Sequence, residues 1–147
     1  MQYHYKFEKL LSLKEKEKRD AFSKYSESLK QFEESAEKLY RLLKKKEDLH
    51  SFQQEKLKAG MPVQDIRHHQ QFMENLEKII SHQQKMVIDA RLKMNILQEK
   101  LAESNIEVRK YEKIKEKDLE NFLDVIKFEE SRQMDEISIQ QYVSREM

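Results

Sequence analysis

Five histidines are the residues of this chain best suited to hold a metal or move a proton: His4, His50, His68, His69 and His82. A metal pair on a helix needs side chains three or four positions apart, so that both rings reach one face. No two of the five have that spacing, and the adjacent His68 and His69 project to different faces. Cysteine is absent, which removes thiolate nucleophiles, disulfides and zinc knuckles. Carboxylates are abundant, but Glu15–Arg19, Glu34–Lys38, Glu37–Arg41 and Asp89–Lys93 stand four apart. That is the spacing of solvated helix pairs, worth about 0.2–0.5 kcal/mol each. A single glycine leaves no phosphate-cradling loop. The residues give no catalytic, cofactor or metal site, and the chain reads as a binding protein rather than an enzyme.

The elements that carry these residues follow from composition. Among 147 residues, 39% are charged, with one Gly, one Pro and no Trp. Compact domains draw on Gly and Pro for their turns, so this composition favours long helices or coiled coil. The net charge of +1 arises from interspersed signs, without the concentrated basic face of a nucleic-acid binder. Lys44, Lys45 and Lys46 form the one purely basic triplet and read as a solvated helix face. No apolar run approaches the roughly 20 residues needed to span a bilayer. The start, Met1 to Phe7, lacks a signal-peptide core. The expectation is a cytoplasmic protein with no direct membrane insertion and no nucleic-acid partner.

Periodicity supplies the architecture. From Ile66, alternate steps of three and four reach His69, Met73, Leu76, Ile80, Gln83, Val87, Ala90, Met94, Leu97, Leu101, Ser104, Val108 and Tyr111. Such recurrence is a heptad seam. The first half offers a shorter run, Phe22, Tyr25, Leu29, Phe32, Ala36, Leu39 and Leu43, after which the register is expected to slip. Between the two patterns lie Gly60 and Pro62. Glycine suits the left-handed position after a helix, and proline the first turn of the next. The expected fold class is therefore all-α: a long two-helix antiparallel coiled-coil hairpin forming one domain over 1–147. Helix 1 is expected at about 4–58, the turn at 59–62 and helix 2 at about 63–130, with a tail from about 131 either helical or unfolded until bound.

A fold centred on Gly60 pairs residues whose numbers sum to about 121, which serves as a ruler. It sets Phe7 near Ile114 and leaves helix 2 without a partner beyond about Lys117. Leu119, Phe122, Leu123, Val125, Ile126 and Phe128 then overhang, and unpaired apolar surface of this kind marks an interface. Beside the seam, Phe72, Ile79 and Met86 recur every seven residues where a two-stranded coil normally places charge. They either widen the core against Leu42, Leu43 and Leu49 or form a docking strip.

Phe7-Glu8-Lys9-Leu10-Leu11-Ser12-Leu13-Lys14, Gln70-Gln71-Phe72-Met73-Glu74-Asn75-Leu76-Glu77-Lys78 and Met134-Asp135-Glu136-Ile137 resemble the flagellar export protein family FliJ. The resemblance spans nearly the whole chain, and its central segment, just after the Gly/Pro turn, is the most specific part. It implies a cytoplasmic component of the flagellar type III export machine, peripheral to the cell membrane at the flagellar base. It further implies a stalk similar to the gamma-subunit coiled coil of rotary ATPases, with three partners: the export ATPase hexamer, the cytoplasmic domain of the export gate, and substrate-free export chaperones. By that resemblance Phe72, Leu76, Ile79 and position 83 carry the gate contact, although Gln83 stands where relatives have His. The ATPase contact would use Phe7, Leu10, Leu11, Leu119, Phe122, Leu123 and Ile126. A generic structural coiled coil, or the equivalent stalk of a virulence secretion system, would need the same rod.

Overall fold

A computed structural model describes residues 2–146; Met1 and Met147, the ends of the expected single domain, lie outside them. The chain is an all-α helical hairpin of α1 (Glu8–Ala59) and α2 (Val63–Glu146), two long helices packed against each other. The turn has the chemistry its residues suggest. Gly60 adopts φ 93°, a left-handed conformation that costs any residue with a Cβ about 1–2 kcal/mol. Its N–H donates to the Leu57 carbonyl at 3.3 Å, and the Ile66 N–H donates to the Pro62 carbonyl at 3.1 Å. Lys56 and Lys58 in the last turn of α1, and Asp65 in the first turn of α2, have signs that suit the helix dipoles.

The chain divides into two packing units, one of residues 20–102 and one of residues 2–19 with 103–146. In the first, α2 contacts α1 along the seam expected from Ile66 to Leu101, every position of which is buried or half-buried. The seam of α1 differs from the sequence expectation. Its seam positions are Ala21, Tyr25, Ser28, Phe32, Ser35, Leu39, Leu42, Lys46, Leu49 and Gln53, an unbroken alternation of four and three, with Leu29 and Ala36 half-buried beside them. There is no slip after Leu43. The seam passes through Ser28, Ser35 and Lys46, while the expected Phe22 and Leu43 are exposed beside it. The hydroxyl of buried Ser28 donates to the Tyr25 carbonyl at 2.7 Å, so a polar seam residue is satisfied within its own helix. Gln83 spans the seam, its Nε2 donating to the Ser35 carbonyl at 3.0 Å. Their numbers add to 118, and those of the Lys46–Glu77 ion pair, at 3.5 Å, to 123. Both lie close to the expected ruler.

In the second unit the core is Tyr5, Leu11 and Val108, with Tyr3 and Tyr111 packed against it. Helix α1 begins at Glu8 rather than near residue 4. Ahead of it, residues 2–7 form a strap: the Tyr5 hydroxyl donates to the Tyr111 carbonyl at 2.9 Å, and the Tyr3 hydroxyl to Asp118 Oδ2 at 3.1 Å. Tyr3 also meets Phe122, ring centroids 5.3 Å apart, beyond the expected limit near Lys117. Helix α2 continues to Glu146, with every side chain from Lys127 onward exposed.

Candidate partner-binding faces

The residues assigned to a gate contact separate into two kinds. Phe72 and Ile79 are 46% and 52% exposed, and Met86, one heptad on, is also exposed. Leu76 and Gln83 are 4% and 3% exposed and belong to the seam. The heptad accounts for this: Leu76 and Gln83 occupy positions that face α1, whereas Phe72, Ile79 and Met86 precede seam residues and lie along the flank. The strip is not absorbed into a widened core. Its first ring carries a cation, Lys45 Nζ lying 5.6 Å from the Phe72 centroid. Its last member borders a groove of about 460 Å³ lined by residues of both helices, among them Ser35, Lys38, Gln83 and Asp89. An exposed apolar row ending in a polar-edged groove can seat an apolar segment of another protein.

The residues assigned to an ATPase contact also divide. Leu11 is buried in the Tyr5–Val108 core, and Leu10 is half-buried. Phe7 sits at the rim of that core, its ring 5.9 Å from Tyr5 and 6.3 Å from Tyr111. Phe122 is partly covered by Tyr3, and Ile126 is half-buried. Leu119 and Leu123 are exposed. An ion pair between Glu8 and Lys115 at 3.1 Å and a Lys115 ammonium 5.8 Å from the Tyr5 ring secure the strap. Burial raises the Tyr5 phenol above its ordinary pKa; for Tyr3, burial and then the hydrogen bond to Asp118 do the same. Both hydroxyls therefore stay protonated donors well past neutrality.

Tyr3 and Tyr5 were not singled out from the sequence, although Tyr3-His4-Tyr5-Lys6-Phe7 alternates aromatic and polar residues, the two-residue period of extended chain. A second omission is a row on the outer side of α2. Ile88, Leu92 and Ile96, four apart, are 57%, 56% and 55% exposed. Of the four surface pairs read from the sequence, Glu37–Arg41 closes, at 2.7 Å. The five histidines do not converge: among the described residues no three His, Cys, Asp or Glu side chains gather as metal ligands. His69 lies in the seam with its Nε2 buried and unpartnered, and His50 Nε2 is 3.3 Å from Gln54 Nε2. Among the described residues no helix is long and apolar enough to cross a membrane.

The family model described as flagellar FliJ protein matches residues 3–147. A curated relative, the flagellar FliJ protein of Bacillus subtilis strain 168, is 49% identical over 143 residues, which cover 97% of each chain. No solved structure matches.

Proposed function

Because the chain belongs to the flagellar FliJ family, we propose that it is a non-enzymatic connector of the flagellar protein export apparatus. In this reading it binds the export ATPase ring as a stalk, the cytoplasmic domain of the export gate, and substrate-free export chaperones. It works on the cytoplasmic side at the flagellar base, associated with the membrane through those partners. The observation that carries the proposal is the bare end of α2. Past Ile126 the helix runs to Glu146 with no side chain shielded, although it includes Phe128, Met134, Ile137 and Tyr142. A helix that carries exposed apolar side chains in water is stabilised when a partner covers them. The Phe72–Ile79–Met86 strip supplies a second, chemically separate surface for the gate.

Truncation after Lys117 tests the stalk assignment, because it removes Leu119, Phe122, Leu123 and Ile126 of the expected ATPase contact together with the bare end. The shortened protein should keep its helicity and its binding to the gate domain while losing stimulation of the ATPase. Unchanged stimulation would refute the assignment of the α2 end to the ring.

A further inference from the structure

The row Ile88–Leu92–Ile96 faces away from the seam, so α1 cannot cover it. Steps of four build a continuous side-chain ridge, the element that packs into the groove of another helix. All three side chains are aliphatic and more than half exposed, which suits helix packing better than a membrane interface, where aromatic rings are favoured. Around the ridge stand Lys85, Arg91, Lys93 and Lys100 against Asp89 and Glu99. Arg91 lies on one flank, and Lys93 and Lys100 on the other. None of these six charges makes an ion pair within the described residues.

The same chain carries a helix of complementary character. Residues 118–146 contain eight acidic side chains and three basic ones, a net charge of −5. Leu119, Leu123, Ile126, Met134 and Ile137 fall on one side of this stretch, and its last two-thirds has no partner in the described residues. Ridge and acidic stretch both belong to α2.

We propose that the acidic end of α2 from one copy docks on the Ile88–Leu92–Ile96 ridge of a second copy, so that the protein self-associates through a basic-flanked ridge and an acidic amphipathic helix. This goes beyond the connector reading and does not depend on it. One helix cannot occupy two sites, so a self-associated copy withholds the surface that the connector would offer a ring.

Sedimentation equilibrium of the full chain tests the proposal without any other protein. Self-association should appear in low salt and weaken as salt screens the flanking charges. Leu92→Asp, on an exposed position that leaves the seam intact, should weaken it about tenfold or more, with unchanged circular dichroism. Lys93→Glu with Lys100→Glu should weaken it as well, and adding Glu129→Lys with Glu130→Lys to that variant should restore it. A full chain that stays monomeric overturns the proposal, as does association indifferent to Leu92→Asp. Association abolished by truncation after Ile126 yet untouched by Leu92→Asp would mean that the ends pair with each other, which also overturns it.

Discussion

Substituting the flank and the seam of one stretch of α2 should separate binding from stability. Leu76 is 4% exposed at a seam position, so Leu76→Ala removes buried methylenes and leaves a cavity, a loss of about 2–5 kcal/mol. Phe72 is 46% exposed. Removing its ring forfeits roughly half of the 1.5–3 kcal/mol of a fully buried side chain, with about 0.5 kcal/mol more for the Lys45 contact. Ile79, at 52%, gives up about 1 kcal/mol on the same scale. Each flank substitution therefore costs about 1–2 kcal/mol, below the seam value. Urea unfolding followed by circular dichroism measures the stabilities, and titration with the gate domain measures the binding. Phe72→Ala with Ile79→Ala should remain helical and bind the gate domain at least about tenfold more weakly, the equivalent of 1.4 kcal/mol. Leu76→Ala should unfold at distinctly lower urea. A Leu76→Ala protein as stable as Phe72→Ala would refute the division into seam and flank. Undiminished gate binding in the flank double variant would refute the docking role.

Two further outcomes concern the ends of the hairpin. Gly60→Ala should destabilise it by about 1–2 kcal/mol in urea unfolding; with nothing within 4 Å of the new Cβ, the cost is conformational and Gly60→Asn should lessen it. Tyr3 and Tyr5 have phenols raised above the ordinary 10.0 in the folded chain. A group whose pKa rises on folding contributes stability that is complete below the unfolded value and lost as pH climbs through the folded one. The strap should thus hold at neutral pH and release above about pH 10. Tyrosinate absorbance should show part of the titration displaced upward, a displacement that truncation of residues 1–6 abolishes.

The unequal legibility of the two helices has a chemical cause. On α2 most seam positions are apolar and most outer positions are polar, the Ile88–Leu92–Ile96 row apart, so periodicity and packing coincide and the whole seam from Ile66 to Tyr111 could be read. On α1 the seam passes through Ser28, Ser35, Lys46 and Gln53, while Phe22, Leu29, Ala36 and Leu43 sit one position away. A reading that follows apolar residues is drawn onto the flank there and then registers a slip that the backbone does not make. The strap was hidden because two tyrosines in a six-residue segment carry too little pattern to compete with a helix beginning nearby. Within the candidate sites, spacing located the right stretch of α2 but did not divide it. Phe72 and Leu76 are four apart and look alike in sequence, and only the phase against α1 sends one to the flank and the other inward.

The hydrogen bond from Gln83 to the Ser35 carbonyl has a mechanical consequence. A long coiled-coil pair is prone to slide by whole heptads, because each shift restores the same kind of contact. Moving α1 one heptad in one direction would set bulky Leu42 where small Ser35 now admits the amide of Gln83, stranding a buried polar group at about 1–3 kcal/mol. Moving it the other way would present Ser28, equally small, and the amide could bond again. That direction is blocked at the tip, where Gly60 and Pro62 leave no slack for α1 to advance. The amide acts as a detent and the turn as an end stop, so axial load on this stretch is transmitted rather than relieved by creep between the helices.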